Sequence, residues 1–367
     1  MNVDIYNKSI ISFEDKKLIS HIPEHYLTQK KIDNFILSRT EEVEKRKILS
    51  SKPYHIVLEP NNSCNLKCPL CSTGIGQSNR KKGKLSLQNF KKIIDIIADE
   101  TIELYLQNWG ESTLLPYFPE MISYASSKNI WTSLSTNLSI NYKNRNRYLE
   151  RLIESGLSHI IVDIDGASQD VYEKYRVKGE LSLVLDNVKR LVKIKSELGI
   201  EEPIIEARML VMRHNEHQIP EFIKLAESLG VDKISTGAIQ VNPNESMDWL
   251  PENDKYVYPT YSRTNGSLTV LPSDTKKQCH WLWSGLVINY DGGISPCCIV
   301  DDKKADFGNI IDQDILDIWN NNKYQTARSE FVSELQVDNL TICNECKNNT
   351  HDANLNRVGN SFSIMML

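Results

Sequence analysis

Three cysteines fall in the short stretch "CNLKCPLC", namely Cys64, Cys68 and Cys71, and no fourth follows on the same segment. A second set lies far downstream: Cys279, Cys297, Cys298, Cys343 and Cys346. Thiolates favour soft and borderline metals, and a structural zinc site closes with four ligands. Three thiolates on one tight loop can instead hold three irons of a cubane cluster and leave the fourth open to an outside ligand. An open position is what separates a reactive metal site from a structural one. Zinc held by these three and a distant His is the competing reading. In the second set, four cysteines remain once Cys298 is set aside, enough to close a [4Fe–4S] cluster or a four-cysteine zinc site.

The chain around these residues has 367 positions, 40% hydrophobic and 25% charged, as expected of a folded globular protein. Its longest apolar runs, such as "HIIVDI" and "GLVINY", are too short to cross a bilayer. The opening "MNVDIYNKSIISFEDKK" lacks the apolar core of a secretion signal, so a cytoplasmic location is expected. In that reducing compartment clustered cysteines read as metal ligands rather than disulfides. A net charge of −5 gives no electrostatic reason to seek nucleic acid, and neither nucleic acid nor membrane is an expected partner. The one basic run, "NRKKGK" (79–84), is expected to be a solvated loop.

The elements that must position the first cysteines begin at residue 54. Apolar runs rich in β-branched residues recur at 54–60, 102–108, 130–137, 159–165, 204–212 and 232–239. Amphipathic stretches separate them at 87–100, 116–129, 146–156, 182–199 and 218–230. Such β/α alternation predicts a parallel sheet buried on both faces, and six units are too few for a closed eightfold barrel. The fold class is therefore α/β, a partial (β/α)6 barrel followed by a small C-terminal α+β module. Functional loops belong at the C-terminal ends of such strands, where Cys64, Cys68 and Cys71 lie. The expected organisation is a helical cap at 1–50, the barrel at 51–240, a linker or cleft segment at 241–275, the cysteine module at 276–350 and a tail at 351–367. Within the module, "LVINYDGGISP" signals a hairpin and "ILDIWNNNKYQTARSEF" (315–331) a helix.

Cys-x3-Cys-x2-Cys after the first strand of a β/α barrel resembles the radical S-adenosylmethionine (SAM) superfamily, over roughly residues 54–350. The resemblance implies a [4Fe–4S] cluster on Cys64, Cys68 and Cys71, its open iron chelated by SAM. It implies reductive cleavage of SAM to a 5′-deoxyadenosyl radical that takes a hydrogen atom from the substrate. "NWGES" (108–112) resembles the family's Gly-Gly-Glu-Pro motif, which would bring Gly110 and Glu111 to the SAM amino group. "LSTN" (134–137) resembles the segment near the SAM ribose, offering Thr136 and Asn137. "VDIDGASQDVYEKYRVKG" (162–179) resembles the Ser-Ile-Asp-Gly segment, with Asp163 where a Ser is usual and Arg176 facing the SAM carboxylate. Val211, on the fifth strand, is the candidate apolar contact to adenine.

The downstream cysteines resemble the family's auxiliary-cluster modules, called SPASM and, in shortened form, twitch. That likeness implies one auxiliary [4Fe–4S] cluster on Cys279, Cys297, Cys343 and Cys346, with Cys298 left as a candidate hydrogen-atom donor. His280 is read as a packing residue of the Trp-rich turn, with acid/base work as the alternative. The cysteine pattern is most similar to that of the radical SAM dehydrogenases acting on an aminocyclitol. The leading expectation is accordingly oxidation or epimerisation of a carbinol carbon of a sugar or aminocyclitol. Modification of a ribosomally made peptide is the second expectation, and a non-enzymatic iron–sulfur or zinc protein the third. A reductant such as flavodoxin or ferredoxin is the implied protein partner.

Overall fold

The strands form where β-branched apolar residues run together: β1 (His55–Leu58), β2 (Glu103–Tyr105), β3 (Trp131–Thr136), β4 (His159–Asp163), β5 (Ile204–Val211) and β6 (Lys233–Ala238). The computed structural model describes residues 17–239, 241, 247–257, 261–264, 267–270, 279–332, 341–344 and 361–364. All six strands pair in parallel, in chain order. The intervening helices include α1 (Phe118–Ser127), α2 (Arg145–Ile153) and α3 (Leu181–Leu198), whose apolar faces cover the outside of the sheet. Ile56, Leu104, Leu134, Ile160, Ala207 and Ile234 are the outward strand positions of that core.

The alternate positions face the inside of the curved sheet, since side chains alternate along a strand. At its base lie His55 and Glu103, 2.6 Å apart, and His159 with Glu206, 3.0 Å apart. Lys233 Nζ reaches Glu206 at 2.8 Å. Such a polar layer is tolerated because each charge has a partner. Below it Leu18, Ile19, Ile22, Tyr26, Ile32 and Phe35 pack with Val57, Tyr105, Trp131 and Val287. The N-terminal segment thus plugs the N-terminal end of the barrel and leaves the C-terminal end of the strands for the site.

Three features depart from the sequence expectation. The cysteine module shares the barrel's sheet. Its strand β9 (Gly285–Ile288) pairs in parallel with β1, and β10 (Gly293–Ser295) and β11 (Gly308–Asn309) extend from it antiparallel, beyond a hairpin β7/β8 (Tyr261–Thr264, Ser267–Val270) in the linker. At the other edge β12 (Ser361–Ile364) pairs antiparallel with β6, so the sheet has ten strands and is not a closed barrel. The expected helix over 315–331 divides into Ile315–Trp319 and Asn322–Ser329. Asn320 ends one and Asn321 caps the other, its side chain accepting from Tyr324 N at 3.1 Å. Finally, the basic run is not wholly solvated. Arg80 is buried, bonding Asp291 at 2.8 Å and Asp306 at 2.5 Å, so this loop is a joint onto the C-terminal module.

Candidate functional site

The cysteine loop leaves β1 and is pinned at both ends by neighbouring loops. Asn61 Nδ2 donates to Glu111 O at 2.7 Å, and Lys67 N donates to Val177 O at 3.0 Å. A Cβ on Gly74 would stand 2.3 Å from Cys68 O, so only glycine lets the following turn lie this close to the loop. Cys64 Sγ accepts from Leu66 N at 3.4 Å and from Asn137 Nδ2 at 3.7 Å. Burial pushes the Cys64 thiol up to about 12. The Cys68 thiol is also raised by burial, with the Arg176 guanidinium pulling the other way. Thiols in this state stay protonated until a metal displaces the proton. Leu66, Tyr175, Met212, Ile239, Val241 and Leu250 form an apolar cover around the loop, so the expected linker packs on it.

Glu111 is the hub of the next layer. Its carboxylate accepts from Thr113 Oγ1 at 2.6 Å, Thr136 Oγ1 at 2.7 Å and Asn137 N at 2.8 Å. The three expected residues Glu111, Thr136 and Asn137 are therefore one hydrogen-bonded unit. Burial raises the Glu111 pKa, and these donors work against that rise. A Cβ on Gly110 would lie 1.9 Å from Asn61 O, which explains the glycine at that position. Asn65, unremarked in the sequence, joins the unit by accepting from Asn137 Nδ2 at 3.1 Å.

Asp163 and Arg176 also meet, in a network larger than expected. Arg176 Nε bonds Asp165 Oδ2 at 2.5 Å, and Nη2 lies 3.4 Å from Asp163. Burial opposes the Arg176 charge, but Asp165 and Asp163 more than offset it and hold the guanidinium protonated. Asp163 further accepts from Ser135 Oγ at 2.9 Å and Arg208 Nε at 2.9 Å. Ser135, Asp165 and Arg208 escaped the sequence reading. A cation inside the apolar run "IIEARMLVM" was the available signal. Val211 does not reach this group: it packs in the outer core, while Leu210 and Met212 on either side pack against the cysteine loop.

Of the downstream cysteines, Cys297 is pushed well up by burial, with the neighbouring thiols of Cys298, Cys279 and Cys343 adding to the rise. Cys279 and Cys343 both pack against the main core. Cys298 packs instead beside the cluster formed with the N-terminal segment, and burial raises its thiol to about 11. Cys346 lies outside the described residues. His280 is buried, with Nδ1 2.8 Å from Glu42 and Nε2 3.3 Å from Tyr54 Oη, which ties the module to the N-terminal helix. Among the described residues, no group of three or more His, Cys, Asp or Glu is preformed for a single metal ion. The donor set on the first loop nonetheless fits a cluster: three thiols on a glycine-backed turn. Thr73 Oγ1, Asn108 Nδ2, Trp109 Nε1 and Glu59 Oε2 are buried around the strand ends without a hydrogen-bond partner. Unsatisfied buried groups are costly and call for a partner.

Comparison with known proteins agrees with this chemistry. The family model of the radical SAM superfamily matches residues 58–226, and that of the SPASM iron–sulfur cluster-binding domain matches 279–347. The tungsten-containing aldehyde ferredoxin oxidoreductase cofactor-modifying protein of Pyrococcus furiosus is 25% identical over 320 residues, covering 80% of this chain and 86% of that protein. A PqqA peptide cyclase of Bradyrhizobium diazoefficiens is 24% identical over 58% of this chain, which spans only 52% of the cyclase. In fold, the chain is similar to Streptococcus suis SuiB bound to the precursor peptide SuiA, with a TM-score of 0.58 and 14% identity over 85% of this chain and 74% of SuiB. Two iron–sulfur sites and SAM follow as the cofactors. No helix among the described residues is long and apolar enough to cross a membrane.

Proposed function

Because the chain belongs to the radical SAM superfamily and carries a SPASM domain, we propose that it is an enzyme that modifies a ribosomally made peptide by hydrogen-atom abstraction. Sequence likeness to a peptide cyclase over 58% of this chain carries the peptide part of this reading. The fold shared with SuiB is compatible with it. This reverses the order of the sequence expectations. The aminocyclitol reading drew on the module's cysteine spacing, whereas the cyclase is similar over 58% of the chain. A second reading, modification of a small-molecule cofactor, is favoured by the relative matched over most of both chains.

In this account Cys64, Cys68 and Cys71 hold the SAM-binding cluster, and Cys279, Cys297, Cys343 and Cys346 the auxiliary one. When bound, the cluster and SAM supply the radical that removes the substrate hydrogen. The chain's own residues position and protect it. Glu111 fixes Thr136 and Asn137 beside the cysteine loop. The apolar cover from Met212, Ile239 and Leu250 excludes water from the radical's path. Gly110, Asp163 and Arg176 are assigned to the same SAM pocket, with Cys298 kept as a candidate hydrogen donor. The SAM carboxylate needs a partner besides Arg176 Nε and Nη2, which Asp165 and Asp163 already engage.

The test is co-expression with short precursor peptides encoded near the gene, followed by high-resolution mass spectrometry. Loss of two hydrogens or a changed fragmentation pattern on one peptide is the expected result. Peptides left intact while a cofactor or sugar is converted with SAM turnover would remove the peptide assignment.

A further inference from the structure

The inside of the barrel holds a group of donors that the SAM pocket does not use. Arg208 sits on β5 opposite Asp163 and Ser235, with its side chain only 9% exposed. Its Nε and Nη2 are engaged by Asp163 at 2.9 and 2.8 Å, and Nη2 also by Ser135 Oγ at 3.0 Å. Among the described residues, Nη1 has no hydrogen-bond partner. On the other side of Ser135 stands Gln107, two residues beyond β2. Its Oε1 accepts from Ser135 N, which fixes the orientation of the amide and leaves Nε2 as the free donor. Both open donors are therefore held by the same residue, Ser135.

The surroundings limit what can bind there. Asp163 and Asp165 are already matched by Arg176 and Arg208, so neither is left uncompensated beside the free nitrogens. Two N–H donors, one of them on a guanidinium, suit a group with two acceptor oxygens. Leu210, the next inward position along β5, packs against the cysteine loop, which places Arg208 one layer deeper than the loop. Arg176 is the guanidinium beside Cys68.

We propose that Arg208 Nη1 and Gln107 Nε2 form a subsite for a carboxylate of the substrate, such as an acidic side chain. It rests on the reading that the barrel interior receives the substrate. SAM carries a carboxylate too, so the test separates the two sources.

The probes are N-acetyl-L-glutamate and, as its neutral twin, N-acetyl-L-glutamine. Each is titrated by ligand-detected NMR into the anaerobically reconstituted, unreduced, SAM-loaded holoenzyme. The acid binds and the amide does not. Arg208→Gln and Gln107→Glu each weaken the acid about tenfold or more, the loss expected for one charge-assisted contact. Gln107→Glu keeps the acceptor for Ser135 N and replaces the donor by an anionic oxygen that also repels the acid, so it reports on the subsite even if Arg208→Gln disturbs Asp163. SAM affinity of Gln107→Glu, measured on the same sample, stays within about threefold of wild type, well short of that loss. Equal binding of the amide, or no binding of the acid to wild type, overturns the proposal. A parallel loss of SAM affinity in Gln107→Glu overturns it as well, by giving the carboxylate to SAM. None of these readings depends on a peptide being modified, so failure of the peptide assignment alone leaves them intact.

Discussion

Glu111 shows how much one carboxylate can organise. Both oxygens are occupied by donors from three neighbours, two of them on β3 and its exit. In Glu111→Gln one acceptor becomes an N–H2 group facing another donor, and an unmet buried donor costs about 1–3 kcal/mol. The folded protein should survive, while SAM affinity of the reconstituted enzyme falls about tenfold or more. Equilibrium dialysis with labelled SAM checks this, and unchanged affinity would separate Glu111 from the pocket. At the base of the barrel, burial tends to raise the Glu206 pKa, but His159 and Lys233 more than offset it and lower it to about 2. A depressed carboxylate contributes stability above its unfolded value, about 4.3, and loses it as pH falls toward the folded value. Wild type should therefore lose on the order of 3 kcal/mol through this group between about pH 5 and 2. Urea melts of Glu206→Gln at a series of pH values should show a shallower acid limb. An identical limb would mean that Glu206 does not carry the effect.

The elements were legible wherever a local rule decided them. Strand positions came from apolar β-branched runs and helices from period, because each is a short-range property. What the sequence hid was pairing across long separations. Nothing near Gly285 announces that β9 will lie against β1, more than two hundred residues earlier, and that contact joins the segment carrying Cys279 and Cys297 to the strand before Cys64. Arg80 was hidden for the same reason. Its carboxylate partners, Asp291 and Asp306, come from the far end of the chain, so the basic run looked solvated. Removing the buried partner strips Asp306 of its cation and leaves Asp291 with Lys303 alone, so Arg80→Met should destabilise the joint by about 3 kcal/mol. Hydrogen exchange should then quicken in β10 and β11 before it does in β3 or β4. Uniform protection across all four strands would show that the joint is not held by Arg80.

For the molecule as a whole, the placement of Glu111, Thr136, Asn137 and Asp163 near strand ends was readable from motifs, and their interdependence was not. Glu111, Thr136 and Asn137 were separate expectations that the fold makes one unit, while Val211 turned outward because strand alternation put Leu210 inward instead. Two cubane sites predict about eight irons per chain, falling to about four in Cys343→Ala, by metal analysis of anaerobically purified protein. One zinc with about four irons would instead make the downstream site structural. The central claim is that the three-cysteine loop is a site for reductive SAM cleavage. Its direct measurement is 5′-deoxyadenosine formed by the reconstituted, dithionite-reduced enzyme supplied with SAM. Wild type should produce it, and alanine at Cys64, Cys68 or Cys71 should abolish it. Reconstituted wild-type protein with its full iron content that forms none would contradict the account.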